Sequence, residues 1–386
     1  MQSNFSDRTI KKAQARWIKS LGMALAFLLM LVVFAGNVKA EEVPVQVHMD
    51  GIKYPLTGGY PYSDNGVTMI PFRMISGKLG IQSNWDAKSK TLTIKQNGNN
   101  IVLTVGSSTA MMNGSSVILD SRVTQRDGNT MIPLNLVKDQ LSAEVKIDED
   151  KGIVNILTPG IDLGPVDDFG RKIRTTNLPK NYKDYPYILE DIPNEMYEMK
   201  VSPYMHYEPG ADTAAELDQR VKWTSEQTFG LVTRVKDAYA LRLNVDYKTL
   251  NPKTFATNLF QYENQAISVR VQDLEEYAQK LKGNKVQLVG SVDPEPTMIF
   301  NTGGARYIRA KVRFKIINYT KFNDVEDVFI DNMWSVKHLK LKKGVWYEGY
   351  ADIKISTNYV NAFNDTLKTN SFSSIFENCK LYEVKQ

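Results

Sequence analysis

"TMIPFRMISGKLGIQSNWD", residues 68–86, returns in altered form as "TMIPLNLVKDQLSAEVKID", residues 130–148. The two copies align without a gap at an offset of 62 residues, and both begin with Thr-Met-Ile-Pro. Each copy follows a turn dipeptide, Asn65-Gly66 or Asp127-Gly128, that tolerates the positive φ of a tight hairpin. The repeat therefore predicts one structural unit that is built twice.

Each copy carries an apolar stripe that is typical of a short helix. The stripe occupies positions i, i+3 and i+7: Phe72, Ile75 and Leu79 in the first copy and Leu134, Val137 and Leu141 in the second. The proline before each stripe can begin a helix, because the first turn does not need its missing N–H. A unit of this size cannot cover its own apolar face. We therefore expect the copies to pack as halves of one core, with Leu79 and Leu141 inside.

The first copy resembles the copper amine oxidase N-terminal-like domain, which is common in exported proteins of Gram-positive, spore-forming bacteria. The residues that carry the resemblance are Pro71, Arg73, Leu79, Gly80, Trp85 and Asp86. The resemblance covers about residues 43–157 and implies an antiparallel sheet wrapped around helix, serving as a non-catalytic stalk. The second copy departs from the pattern at Asn135, Ser142 and Ile147.

Amine oxidase chemistry, as the resemblance implies it, needs three histidines on copper and a tyrosine in an Asn-Tyr-acid setting. The chain has only His48, His206 and His338, which are scattered, and no Asn-Tyr step is followed by an acid. Copper prefers imidazole ligands that lie close together. We therefore reject amine oxidase activity and predict no metal and no cofactor.

Residues 1–40 have the layout of a secretory signal. Cationic residues are followed by the apolar run "LGMALAFLLMLVVFAG", and small or apolar residues stand at Val38 and Ala40. We predict a secreted or wall-associated protein that is cleaved after Ala40. The alternative is an uncleaved membrane anchor that starts near Trp17, although the apolar run is short for a bilayer.

The net charge of +5 comes from this segment. Residues 1–40 hold six Lys or Arg and one Asp, which leaves 42 basic and 42 acidic residues in the rest of the chain. This balance argues against a nucleic-acid partner. The single cysteine, Cys379, cannot form an internal disulfide, so packing alone must stabilise the fold.

Residues 158–171, "TPGIDLGPVDDFGR", are rich in Gly, Pro and Asp and lack a sustained period, so we predict a linker. It would join the duplicated domain, residues 41–157, to a C-terminal domain, residues 172–386. The fold class that we predict is α+β. A pseudo-duplicated antiparallel sheet with short helices precedes a second α+β domain, which has a long helix over residues 212–243 and an antiparallel meander.

Two groups of C-terminal residues are candidate binding sites. Residues 307–319 alternate as a strand, which places four cations on one face: Arg309, Lys311, Arg313 and Lys315. A solvated outer face explains them, and a site for an anionic wall polymer is the sharper alternative.

Residues 182–207 hold six tyrosines, including Tyr185, Tyr187, Tyr204 and Tyr207. These rings can stack on sugars or lie as a strap over a sheet.

No motif for nucleophilic, metal-dependent or phosphate chemistry is present in the C-terminal half. We therefore predict an exported, non-enzymatic cell-envelope protein. Its stalk-like module carries a binding domain for wall polymer, glycan or an envelope protein. The alternative is a secreted polysaccharide hydrolase that uses C-terminal carboxylates, such as Glu190 with Asp191 or Glu195 with Glu198.

Overall fold

A computed structural model describes residues 43–54, 60–148, 152–200, 225–263, 270–302, 305–320, 341–356, 368–369, 375–376 and 378–384. The strands of the N-terminal part are β1 Val43–Pro44, β2 Gln46–Met49, β3 Ile52–Lys53, β4 Tyr62–Asp64, β5 Val67–Pro71, β6 Gln82–Asp86, β7 Thr91–Gln96, β8 Asn99–Thr104, β9 Thr109–Met112, β10 Ser115–Ile118, β11 Thr124–Arg126, β12 Asn129–Pro133, β13 Glu144–Asp148 and β14 Ile153–Leu157. Its helices are α1 Phe72–Ser76 and α2 Leu134–Gln140.

The predicted hairpin turns are confirmed. Asn65 and Gly66 both adopt positive φ, of 50° and 82°, between β4 and β5, and Asp127 with Gly128 does the same between β11 and β12. This is the backbone shape of the two-residue hairpin loop that Asn-Gly and Asp-Gly favour. The other Asx-Gly steps close β2 on β3, β7 on β8 and β9 on β10 in the same way.

The two copies of the repeat form a single body around a pseudo-twofold axis. Strands β5 and β12 pair antiparallel, and Ile70 lies opposite its equivalent, Ile132. Helices α1 and α2 contribute to one cluster of buried side chains. Leu141 is buried in that cluster and Leu79 packs against it half-buried. The expectation that the repeat supplies two halves of one core is confirmed.

The helices are shorter than the apolar stripes suggest. Pro71 and Pro133 end their strands in extended conformation, and each helix begins at the next residue. Helix α1 ends at Ser76, before Leu79. Gly80 then adopts a φ of +62°, and its equivalent in the second copy, Ser142, keeps the left-handed shape at +58° without being glycine. The backbone of the repeat is thus preserved where its sequence departs.

Three sheets enclose this core. Their strand orders are β1-β4-β5-β12-β11, β10-β9-β8-β7-β6 and β13-β14-β2-β3. All pairings are antiparallel except one, because β2 lies parallel to β14 with Val47 opposite Val154. This parallel pair joins the beginning of the domain to its end. The predicted antiparallel fold is thus confirmed, with one parallel pair added, and no local pattern signals a pairing between such distant strands.

The C-terminal part has helices on one face of a long-stranded sheet, which confirms the α+β class. Its elements are α3 Asn194–Glu198, α4 Ser225–Leu243, α5 Pro252–Phe260, α6 Val271–Gly283, β15 Gln287–Thr302, β16 Ala305–Asn318, β17 Trp346–Ser356, β18 Lys368–Thr369 and β19 Cys379–Glu383. The sheet runs β15-β16-β17-β18, and β19 also pairs with β17.

The sequence predictions for this part are mixed. Residues 212–224 of the long helix lie outside the described residues, and α4 covers the remainder. Pro252 by itself predicts a turn, but residues 252–260 form helix α5. Asn251 caps the helix by accepting from the Thr254 amide at 3.2 Å, and Pro252 occupies the first turn. The alternation in residues 334–344, "WSVKHLKLKKG", predicts a strand, but only 341–344 are described, and they form coil and turn.

Alternation along β16 positions the core and the opposite face. Its even residues from Ile308 to Ile316 are buried against α4, α5 and α6, as predicted. Phe314 stacks on Tyr347 of β17, with ring centroids 5.5 Å apart. Two chain segments cover part of the opposite face: the predicted linker, residues 158–171, and residues 172–200, which we call the strap.

Candidate functional site: the outer face of the C-terminal sheet

Arg309, the first of the four predicted surface cations, is buried. It lies directly opposite Asp352 on β17, and its Nε and Nη2 donate to the two Asp352 carboxylate oxygens at 2.7 and 3.0 Å. Its Nη1 donates to the Met196 carbonyl of the strap at 2.9 Å. Burial alone would lower the pKa of Arg309, but the Asp352 carboxylate raises it above its ordinary value. The expectation of a solvated cation is therefore wrong at this position, because the strap covers it.

Lys311 lies at the edge of the strap. Its side chain is exposed and its Nζ donates to the Asp191 carbonyl at 3.2 Å. Across the strand pair it faces Asp293 of β15. Asp293 Oδ1 is 2.7 Å from Lys53 Nζ and 3.3 Å from Lys236 Nζ. Lys311 thus borders a charged junction where the N-terminal domain, the strap and the sheet meet.

Arg313 and Lys315 lie at the end of the face that the strap leaves open. Lys315 is opposite Trp346 on β17, with its Nζ 4.9 Å from the ring centroid, and the Arg313 guanidinium carbon is 4.5 Å from the same centroid. Arg313 Nε also lies 3.0 Å from Glu348 Oε1, in a partly exposed pair. Both cations therefore lie over one ring on a half-exposed surface, a combination that attracts anions.

Tyr185 and Tyr187, two of the candidate tyrosines, pack within the strap. Tyr185 makes an edge-to-face contact with Tyr197 at 4.8 Å, and its hydroxyl donates to the Tyr197 carbonyl at 3.0 Å. Tyr187 is half-buried against the same cluster. Burial raises the pKa of both the Tyr185 and Tyr187 hydroxyls. Tyr204 and Tyr207 lie outside the described residues.

The strap carboxylates considered for hydrolysis hold structural contacts. Asp191 Oδ2 accepts from the Lys53 amide at 3.1 Å, and Glu198 accepts from the Lys180 amide at 2.8 Å. Glu195 pairs with Lys380 of β19 at 2.6 Å and accepts from the Tyr382 hydroxyl. Glu190 is exposed. Carboxylates that already anchor the strap are poorly placed to act as the general acid and the second catalytic carboxylate of a glycoside hydrolase.

His48 is the single described histidine, since His206 and His338 lie outside the described residues. Its Nε2 accepts from the Gln46 side-chain amide at 2.8 Å, and its Nδ1 donates to Asn155 Oδ1 at 2.9 Å. Burial, with Arg171 nearby, lowers its pKa from 6.5 to about 3. Both ring nitrogens are thus engaged within the fold. Within the described ranges, no three His, Cys, Asp or Glu side chains form a cluster suited to a metal.

Two features of this face were missed by sequence reasoning. Trp346 is the first residue of β17, and only the register of β17 on β16 places it beside Lys315. The second is Arg171 in the predicted linker, which is fully buried between Asp167 and Glu295. No local signal marks Arg171, because its partner Glu295 is distant in the chain.

The described fold now allows a comparison with known proteins. Residues 48–156 match the family model of the copper amine oxidase N-terminal domain. The matched domain coincides with the duplicated repeat and its three sheets, so the resemblance inferred from Pro71, Arg73 and Trp85 is confirmed. No family model matches the C-terminal region. No curated protein and no solved structure is significantly similar to this chain. The described helices include none that is both long and apolar enough to span a membrane.

Proposed function

We propose that this chain is an exported, non-enzymatic protein of the cell envelope that binds an anionic wall polymer. The matched N-terminal domain would serve as a stalk, which is compatible with its family. The C-terminal domain would bind through the open end of its outer face, which we call the open patch: Arg313, Lys315 and Trp346. Glycan without charge and an envelope protein are the other ligands that the experiments below distinguish.

The observation that carries the proposal is the division of the cationic face by the strap. Arg309 is buried in an ion pair with Asp352, and Lys311 donates a hydrogen bond to the edge of the strap. Lys315 and Arg313, which keeps a partly exposed pair with Glu348, lie together over one indole ring. An anionic polymer can gain from both cations at once, and sugar rings in it can pack on Trp346. Three of the four carboxylates considered for hydrolysis, Asp191, Glu198 and Glu195, are engaged in contacts of the strap, which supports a binding function.

The decisive experiment measures binding of the mature chain, residues 41–386, to purified cell wall. We expect the double variant Arg313→Glu/Lys315→Glu to bind about tenfold more weakly at low ionic strength. We also expect wild-type binding to fall as salt is raised, because exposed charges are screened over a Debye length of about 10 Å at 0.1 M.

A matched control separates the patch from net charge. Lys88→Glu/Lys95→Glu makes the same charge change on exposed residues of the N-terminal domain. Equal loss of binding in both double variants would contradict a site at the open patch. Binding that survives removal of anionic polymer from the wall would favour an uncharged glycan or a protein ligand instead.

Trp346→Ala tests the role of the ring separately. If the ligand presents sugar rings, this variant weakens binding while leaving its salt dependence unchanged. Unaltered affinity would indicate that the patch recognises charge alone.

A further inference from the structure

Strand β10, Ser115–Ile118, forms an edge of the sheet β10-β9-β8-β7-β6. All four of its side chains are exposed. Ile118 is 84% exposed, more than any other large hydrophobic residue of the described chain. Met111, which lies opposite Ser116 on β9, is also exposed. A sheet edge with exposed apolar side chains readily pairs with another strand.

The contrast with the other sheet edges is sharp. Natural sheets protect their edges with charged residues, prolines or short strands. Every other edge strand of the four described sheets contains a charged residue or proline: Pro44 in β1, Arg126 in β11, Asp86 in β6, Lys53 in β3, Glu144 in β13, Asp293 in β15, Lys368 in β18 and Lys380 in β19. Strand β10, with the sequence Ser-Ser-Val-Ile, contains neither.

The hydrogen-bond pattern shows which backbone groups are free to pair. The Leu119 amide donates to the Ser108 carbonyl at 2.8 Å, and Val117 lies opposite Ala110. Because inward and outward bonds alternate along an antiparallel strand, Ser115 and Val117 bond to β9. The N–H and C=O groups of Ser116 and Ile118 therefore point away from the sheet.

We propose that β10 pairs antiparallel with β10 of a second copy of this chain, on a twofold axis that passes beside Val117. In this register Ser116 exchanges backbone hydrogen bonds with Ile118 of the partner subunit. Val117 meets the partner subunit's Val117 as a non-hydrogen-bonded pair. The sheet then continues without interruption across both copies.

A second copy suits this edge for two reasons. The strand carries no charge, so identical copies bring no like charges together, and Asp120 falls opposite Gly114 of the partner subunit. The domain also already uses this geometry internally, where the equivalent strands β5 and β12 pair antiparallel about Ile70 and Ile132. An isologous contact of this kind closes on itself and gives a dimer rather than a fibre.

Cysteine cross-linking tests the register in the mature chain, with Cys379→Ser as background. Across a non-hydrogen-bonded antiparallel pair the Cα atoms are about 4.5 Å apart, which lies within the range of a disulfide. We expect Val117→Cys to form a disulfide-linked dimer under mild oxidation. Thr104→Cys is the matched control, because it is exposed on β8 of the same sheet but away from the edge.

Sedimentation velocity over a range of protein concentrations tests the contact without cross-linking. We expect a concentration-dependent dimer whose dissociation constant rises at least about tenfold in Ile118→Lys and is unchanged in Thr104→Lys. A wild-type chain that stays monomeric, or Val117→Cys that cross-links no faster than Thr104→Cys, would overturn the proposal. A dimer whose dissociation constant is unchanged in Ile118→Lys would also overturn it, because its interface would lie elsewhere.

Discussion

At the scale of single residues, Arg171 is the most consequential buried side chain. Its guanidinium donates to Asp167 Oδ2 from Nε and Nη2, at 3.0 and 2.8 Å, and to Glu295 from Nη1 and Nη2, at 2.8 and 2.9 Å. Glu295 also accepts from the Thr297 amide and hydroxyl. A buried charge needs this full set of partners, since each charge is costly to remove from water.

Removing one partner should therefore destabilise the protein strongly. We expect Glu295→Gln to lower the free energy of unfolding by about 3 kcal/mol at pH 7, because Arg171 would keep its charge with one carboxylate fewer. Urea unfolding measures the change. The matched control is Glu144→Gln, which breaks the exposed pair of Glu144 with Lys146 and should cost less than about 1 kcal/mol. Similar losses in both variants would contradict a special role for the buried cluster.

His48 should give the protein a pH dependence of its own. Burial lowers the pKa of His48 in the folded state to about 3, whereas an unfolded histidine titrates near 6.5. The unfolded state therefore binds a proton first as pH falls. The stability that neutral His48 contributes is complete above pH 6.5 and is lost progressively towards pH 3.

The measurement compares wild type with His48→Gln by urea unfolding between pH 7 and 4.5. We expect the difference in their unfolding free energies to change by about 1.4 kcal/mol per pH unit below pH 6.5. His206 and His338 are common to both proteins and cancel in this difference. Glu295, whose pKa is lowered to about 2 despite burial, mainly by Arg171, loses its contribution to stability only below about pH 4.5, outside this window. A flat difference would show that His48 is already charged or solvated in the fold.

At the scale of elements, the C-terminal sheet depends on close backbone approach at its last strand. Gly349 of β17 lies opposite Leu381 of β19. A Cβ atom added at Gly349 would stand 1.8 Å from the Lys380 carbonyl oxygen. The two strands would have to separate to admit it, because that oxygen belongs to backbone.

Gly349→Ala should therefore weaken the pairing of β19 with β17. We expect a loss of about 1 to 3 kcal/mol in unfolding free energy, the usual cost of forcing extra volume into a packed site. Faster amide hydrogen exchange in Cys379–Glu383 would locate the damage. Gly283→Ala, at the end of α6 where an added Cβ meets nothing within 4 Å, should be neutral or slightly stabilising. A Gly349→Ala variant with the unfolding free energy of wild type would show that β19 pairs loosely with β17.

At the scale of the whole molecule, the predicted linker acts as a packed connection between the two domains. The Lys172 amide donates to the Gly51 carbonyl at 2.9 Å, and Thr158 donates to Asp50 from its amide and hydroxyl. Arg171 reaches Glu295 of the sheet, and Lys53 reaches Asp293. The matched N-terminal domain and the proposed binding face are thus joined by buried charges rather than by a free hinge.

Export is also a prediction about the whole molecule. Residues 1–40 lie outside the described residues, so the prediction rests on their order of charged, apolar and small residues. We expect mass spectrometry of the culture supernatant to find a chain that begins at Glu41. A protein that stays with the membrane and keeps its N-terminus would support the uncleaved anchor instead.

The sequence by itself determined the elements whose causes are local. The repeat around Pro71 and Pro133, the Asx-Gly turns and the alternation of β16 predicted the paired halves, the hairpins and the buried face, because each depends on residues that are neighbours in the chain. The tertiary structure alone decided which cations remain at the surface. Arg309 and Lys315 have equivalent positions in the alternation, but the strap covers one and leaves the other beside Trp346. Burial and pairing of charge depend on segments that are distant in sequence, and a periodic pattern contains no information about them.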